Sequence, residues 1–244
     1  MILQVDAGNS RVHWRILDEH RTVAGRGAES WDAVSAGVLA GMVPGRVTRL
    51  EFASVAGQRA RDLKAWFVSA GNVDVEEFVS TPRQCGVLNA YEDPACMGVD
   101  RWLAMVGAYS RWGGPITVVD AGTAITIDHV DETGNHRGGY ILPGAALMMQ
   151  SLGAGTSDVR TGHIVEYGTA PGVTTSECVH HGIAWVIEAL IRNSSLYWNG
   201  RGRTVLTGGD AEMAAAGLSQ GILVESELVF AGMDAVIDEM RSGF

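Results

Sequence analysis

The sequence predicts an α/β protein built by duplication, and three observations carry that reading. One phrase occurs twice, as Ile2-Leu3-Gln4-Val5-Asp6-Ala7-Gly8-Asn9-Ser10 and as Ile116-Thr117-Val118-Val119-Asp120-Ala121-Gly122-Thr123-Ala124. Each copy is an apolar strand-type run that ends in Asp-Ala-Gly and then resumes as a second apolar segment, Val12 to Leu17 and Ile125 to Ile127. Around the two copies, strand-like and helix-like patterns alternate through both halves of the chain, which is the α/β pattern. With 244 residues, 46% of them apolar and 19% charged, the chain has material for two cores. The boundary falls at Gly113-Gly114-Pro115 and predicts domains over 1–114 and 115–244.

The elements follow in order. Ile2 to Leu17 reads as strand, tight turn, strand. Trp31 to Met42 has helical spacing through Trp31, Val34, Val38 and Met42, with Pro and Gly closing it. Thr48 to Val55 returns to a strand pattern, and Gln58 to Ala70 is a helix whose apolar side carries Leu63, Trp66 and Phe67. Val73 to Val79 is a short strand, followed by a loop rich in Pro, Cys and Gly that ends at Tyr91-Glu92-Asp93-Pro94. Asp100 to Trp112 is a helix with Leu103, Val106 and Tyr109 on one face.

The second hairpin runs from Ile116 to Val130, with a turn at Thr133-Gly134-Asn135. Gly138-Gly139-Tyr140-Ile141-Leu142-Pro143-Gly144 leads into a helix over Ala145 to Leu152, and a Gly/Thr/Ser-rich loop covers Gly153 to Val173. Thr174-Thr175-Ser176-Glu177 is a capping box, with Thr174 at the N-cap and Glu177 three residues on. It opens a long helix to about Arg192 whose stripe is Val179, Ile183, Val186 and Leu190. Trp185, Ile187 and Ile191 extend its apolar surface beyond one face, which points to deep core or an interface. Thr204 to Thr207 is a strand running into Gly208-Gly209-Asp210-Ala211, and Glu227 to Met240 is a terminal helix.

Each Asp-Ala-Gly places a carboxylate at a turn beside a glycine that lets backbone approach a ligand. A lone Asp-Gly turn is ordinary hairpin chemistry, but two copies after buried-type strands suggest paired carboxylates facing a shared cleft. A metal–nucleotide complex suits such a cleft, since carboxylates hold Mg²⁺ while Gly and Ser/Thr turns donate to phosphate. Gly98-Val99-Asp100-Arg101 sits where a helix begins. There Asp100 is either a helix cap or a base kept ionised beside Arg101. Gly208-Gly209-Asp210 is either a plain connection or a flat backbone surface for adenine or ribose.

Composition excludes several classes. A net charge of −10 with no basic run argues against a nucleic-acid groove. Three cysteines without CxxC spacing, Cys85, Cys96 and Cys178, read as thiols of a reducing compartment. The adjacent His180-His181 pair points in two directions on a helix and makes a poor chelate. Asp6 interrupts the first apolar run, so no leader is expected there, and no stretch approaches ~20 apolar residues. The expected location is cytoplasmic, with no membrane partner.

The ordered series Asp6-x-Gly-Asn-Ser, Gly98-x-Asp100-Arg101, Asp120-x-Gly-Thr, Gly138-Gly139-x-x-x-Pro143-Gly144 and Thr207-Gly-Gly-Asp210 resembles the motifs of type III pantothenate kinases. That family belongs to the acetate and sugar kinase/Hsc70/actin superfamily. The resemblance implies a duplicated ribonuclease H-like, actin-like ATPase fold with a nucleotide cleft between two domains. The activity it implies is ATP-dependent phosphorylation of pantothenate, the first step towards coenzyme A, and it implies a homodimer. ATP would be held by Asp6, Ala7, Gly8, Asn9, Ser10, Arg11, Val12, His13 and Thr123, with Mg²⁺ at Asp6 through the nucleotide. Asp100 would accept the substrate proton. Asp120 would bind a monovalent cation, K⁺ or NH₄⁺. Pantothenate would meet Tyr91, Gly98, Val99, Asp100, Arg101 and Thr175. Thr175 is selected over Thr174 by the Thr-x-x-small-x-x-x-Gly pattern through Cys178 and Gly182. His13 stands where some relatives carry Lys, which makes the charge there weaker or pH-dependent. The loop from Gly153 to Val173 matches the family loosely. Another phosphotransferase or phosphohydrolase, or a regulator of the same fold, is the competing reading.

Overall fold

The computed structural model describes residues 1–35, 47–70, 73–155, 168–216, 218 and 221–243. The chain divides into two units. The first comprises residues 1–82, 91–107 and 229–244, and the second comprises 83–90 and 108–228. The junction at Gly114/Pro115 therefore falls inside the second unit, and the terminal helix folds with the first.

The first unit is built on a sheet of β1 (Ile2–Ala7), β2 (Arg11–Leu17), β3 (Val23–Ser30), β4 (Arg49–Ser54) and β5 (Asp74–Glu77), ordered β3-β2-β1-β4-β5. β1 runs antiparallel to β2 and parallel to β4. Because strand side chains alternate, Leu3, Val5 and Ala7 face one way. They pack with Val12, Trp14, Leu50 and Phe52 against α1 (Trp31–Ser35) and α2 (Gln58–Ala70). Gln4, Asp6, His13, Arg15 and Glu51 occupy the opposite face. That face buries charge. Glu51, fully buried, accepts two bonds from the Arg21 guanidinium at 2.7 and 2.9 Å and one from Gln4 Nε2 at 2.6 Å. Arg15 reaches Gln4 and Asp234, the latter on α7 (Leu228–Ser242). Gly232 of α7 lies so close to the Leu103 backbone of α3 (Val99–Trp112) that a Cβ there would overlap it.

The second unit repeats the plan. Its sheet contains β8 (Ile116–Ala121), β9 (Ala124–Val130), β10 (His136–Pro143), β11 (Arg203–Thr207) and β12 (Ile222–Val224), ordered β10-β9-β8-β11-β12. A two-stranded ribbon, β6 (Arg83–Gln84) and β7 (Val87–Leu88), precedes it in the chain. Three antiparallel strands continued by two parallel ones is the duplicated ribonuclease H-like arrangement. Val119, Ile125, Ile127 and Leu206 pack on α5 (Thr175–Ser195) and α6 (Ala211–Ala215), with Met148 and Met149 of α4 (Ala145–Gly155) against them. Among the described residues no helix is long and apolar enough to cross a membrane.

Several elements differ from expectation. β3 and β10 are strands that the periodicity does not reveal, because they form sheet edges and alternate poorly between buried and exposed positions. The expected loop before Tyr91 contains the β6–β7 ribbon, and a 3₁₀ turn over Pro94–Cys96 follows Tyr91. The first helix is described only over Trp31–Ser35, and the rest of that expectation lies outside the described residues. So does most of the Gly153–Val173 loop. The capping box forms as expected, with Thr174 Oγ1 accepting from Glu177 N–H at 3.2 Å and Glu177 accepting from Thr174 N–H at 3.1 Å. The buried stripe of α5 is Ile183, Ile187 and Ile191, while Val186 turns outward with Trp185.

Candidate active site

In the first unit the turn after β1 is held from three sides. The Ala7 carbonyl accepts from Ser54 Oγ at 3.2 Å and from Val55 N–H at 3.1 Å, and the Gly8 carbonyl accepts from Trp31 Nε1 at 3.0 Å. Asn9, Ser10 and Arg11 are left exposed at the tip, with Arg11 Nη2 donating to Ala28 O at 3.0 Å, and Val12 is buried beneath. Asp6 and His13 are direct cross-strand partners, so their side chains share the polar face of the sheet. Burial, then the charge of Arg11, lowers the His13 pKa and keeps the ring neutral at pH 7.

Asp100 is the second residue of α3 and not its cap. Its Oδ1 accepts from the next backbone N–H, Arg101, at 2.7 Å, while Gly98 O accepts from Trp102 N–H. The carboxylate folds back over Gly98, where a Cβ would stand 2.6 Å from Oδ1 and 3.6 Å from Val55 Cγ1. Only glycine leaves that carboxylate in place. Val55 thus bonds to the Asp6 turn through its N–H and faces the space that a side chain at position 98 would take. Buried Val99 anchors the same helix start. Buried Arg101 donates from Nη1 to the Tyr91 hydroxyl at 2.9 Å, with its guanidinium 5.8 Å from the ring centre.

In the second unit three motifs converge on the turn after β8. Gly144 N–H donates to Thr123 O at 2.9 Å, which seats the Pro143-Gly144 corner on the turn and leaves Thr123 exposed. Thr207 pairs beside Asp120 in the sheet. Gly208 follows with φ +93°, and a Cβ there would overlap both Asp120 Oδ1 and the Ala121 carbonyl. Asp210 N–H donates to that carbonyl at 2.9 Å, and burial raises the Asp210 pKa. Beside the turn lies a small depression lined by Ala121, Ile125, Ala145, Ile187, Met213, Ala214 and Asp210. Thr175 is exposed at the first turn of α5. It lies twelve residues before Ile187, about 18 Å along the axis, so it is not part of this cluster.

Trp31, Ser54 and Val55 escaped the sequence reading. For Ser54 and Val55 the one signal was the small-residue run Ala53-Ser54-Val55-Ala56-Gly57 at the end of a strand. A family model for type III pantothenate kinase matches residues 2–195. The chain belongs to the type III pantothenate kinase family. A relative named type III pantothenate kinase from Marinobacter nauticus is 36% identical, covering 91% of this chain and 93% of its own. Another of that name, from Cellvibrio japonicus, is 34% identical, covering 100% of this chain and 99% of its own. Among solved structures, a conserved Campylobacter jejuni protein described as a Baf family transcriptional activator superposes with a TM-score of 0.62 at 22% identity. That likeness covers 98% of this chain and 99% of the other, and it concerns the fold.

Proposed function

We propose that the protein transfers the γ-phosphoryl group of ATP to the terminal hydroxyl of pantothenate, giving 4'-phosphopantothenate in the first step of coenzyme A biosynthesis in the cytoplasm. Family membership across residues 2–195 carries this reading. The five family motifs sit on turns and a helix start, where backbone N–H groups and carboxylates are presented.

Phosphoryl transfer needs positioning and charge neutralisation more than covalent chemistry. The exposed turn from Gly8 to Arg11, braced by Trp31 and Ser54, presents N–H and hydroxyl donors to the phosphates. Arg11, Val12 and His13 continue that wall, and Thr123 supports the nucleotide from the other Asp-Ala-Gly turn. Asp100, anchored on Arg101 N–H, accepts the hydroxyl proton as the new P–O bond forms and ADP departs. Tyr91, Gly98, Val99 and Arg101 hold pantothenate, with Thr175 completing its contacts.

The residues fit two cations. Asp6, a half-buried carboxylate beside an exposed donor turn, would hold Mg²⁺ brought with the nucleotide. Asp120 Oδ1 and Ala121 O line a cradle that a Cβ at position 208 would fill, an all-oxygen set suited to K⁺ or NH₄⁺. When bound, these cations neutralise phosphate charge.

A homodimer formed through α5 accounts for Trp185, which is 61% exposed, and for its neighbour Val186. Light scattering should then give twice the 25.9 kDa chain mass. The deciding experiment couples ADP release to NADH oxidation with pantothenate as acceptor, in Mg²⁺ plus K⁺. Turnover that depends on pantothenate is expected. Turnover indifferent to pantothenate, or full activity with Na⁺ as the only monovalent cation, would overturn the corresponding assignment.

A further inference from the structure

The chain reaches Tyr91 from the β6–β7 ribbon, residues 83–90, which belongs to the second unit. That ribbon is fastened to the turn between β9 and β10. Leu88 N–H donates to Gly134 O at 2.9 Å, and Leu88 forms a parallel bridge with Asn135. Gly134, at φ +87°, approaches Gly86 so closely that a Cβ would overlap its carbonyl. Asp131 shapes the turn by accepting from the backbone N–H groups of Thr133 and Asn135, each at 2.9 Å.

The last fastening is a side chain. His136, its ring fully buried, places Nδ1 3.4 Å from Ala90 N–H and Nε2 3.1 Å from Asp128 Oδ1, itself buried. A backbone N–H can only donate, so Nδ1 carries the lone pair and the ring proton lies on Nε2, donated to Asp128. Ala90 is bonded to Tyr91, whose hydroxyl accepts from Arg101.

We propose that Asp128 and His136 act as a positioning pair for the acceptor substrate: they fix Ala90 and through it Tyr91. The proposal rests on the reading of Tyr91 and Arg101 as pantothenate contacts. A buried carboxylate–imidazole pair is costly to desolvate, and an apolar pair of similar volume commonly serves stability as well. What an apolar pair cannot do is present an acceptor to Ala90 N–H while a carboxylate locks the ring. The pair therefore sets a position.

His136→Gln keeps a donor for Asp128 and loses the acceptor facing Ala90, whereas His136→Asn keeps an acceptor near the Nδ1 position. With His136→Gln the KM for pantothenate should rise about tenfold, the loss of one hydrogen bond, while KM for ATP stays at the wild-type value. His136→Asn should fall between. The His136→Gln effect should shrink in a Tyr91→Phe background, since the two act through one contact. Amide exchange of Leu88 to Tyr91 should accelerate in His136→Gln, with β8 unchanged. Equal changes in both KM values alongside a lowered Tm would overturn the proposal, and so would faster exchange with an unaltered KM for pantothenate. If the wild type does not phosphorylate pantothenate, the functional reading falls. Amide exchange alone then decides whether His136 holds Ala90, and unchanged protection overturns it.

Discussion

Gly208→Ala tests the geometry around Asp120 directly. At φ +93° an alanine is strained by about 1–2 kcal/mol. Its Cβ also overlaps Ala121 O, a backbone atom that cannot yield without loosening the Asp210 N–H bond of 2.9 Å and the β8–β11 pairing. Overpacking of this kind adds about 1–3 kcal/mol, so the second unit should lose about 2–5 kcal/mol. The neighbouring glycine is the control: a Cβ at Gly209 meets nothing within 4 Å, and Gly209→Ala should stay within about 0.5 kcal/mol of wild type. Urea unfolding at 25 °C reads both. The same overlap displaces Asp120 Oδ1. Loss of one oxygen ligand worth about 1.4 kcal/mol raises the K⁺ concentration for half-maximal rate about tenfold. Equal stabilities for the two alanine variants, or an unchanged K⁺ requirement in Gly208→Ala, would refute the reasoning.

Asp100→Asn should lower kcat by about 10²–10⁴-fold with an unchanged Tm, because the amide keeps the shape and cannot take the proton; near-normal kcat would reduce Asp100 to a structural carboxylate. Glu51→Ala leaves the Arg21 guanidinium with Asp234 as its remaining carboxylate, at 2.7 Å, and removes an acceptor of Gln4 Nε2 on the buried polar face, so it should cost about 1–3 kcal/mol in urea unfolding, whereas a cost below about 0.5 kcal/mol would show that Asp234 and water replace the pair. His13 is neutral in the fold and takes up a proton only below its ordinary pKa. KM for ATP should therefore fall as pH drops through and below 6.5, and His13→Gln should remove that dependence. The unfolded chain protonates His13 first, so the stability His13 contributes above pH 6.5 is lost on acidification towards the folded pKa. The pH-dependent difference in urea midpoint between wild type and His13→Gln measures it.

Strands whose one face is buried announce themselves in the sequence. β1 and β8 both end in the same turn, opened by a half-buried Asp after a run of core residues, and their duplication was visible from residues alone. β3 and β10 were not, because period-two alternation arises only where one face meets a core, and these edge strands are half-open on both. The polar face of the first sheet was hidden for another reason. Gln4, Arg15 and Glu51 look like surface residues, yet all three are buried under a helix more than 175 residues away in sequence. The motifs of the candidate site were visible, but their braces were not, since Trp31 to Gly8 and Gly208 to Asp120 are contacts between distant segments. On α5 the spacing allowed two stripes, and packing against β8 and β11 chose Ile183, Ile187 and Ile191.

The two Asp-Ala-Gly turns have diverged in a way that bears on the roles proposed for them. Asp6 faces a cross-strand imidazole, His13, with Arg11 at the tip of its turn. Nitrogen donors and potential positive charge gather there, as a phosphate requires. Asp120 instead has Thr126 across one strand and Thr207 across the other, with the Ala121 carbonyl and a side-chain-free Gly208 next to it. Oxygen atoms gather there, as a hard cation requires. A duplication that merely repeated a binding turn would have kept one set of neighbours. These two sets differ in sign, as the anion-holding role proposed for the first turn and the cation-holding role proposed for the second require.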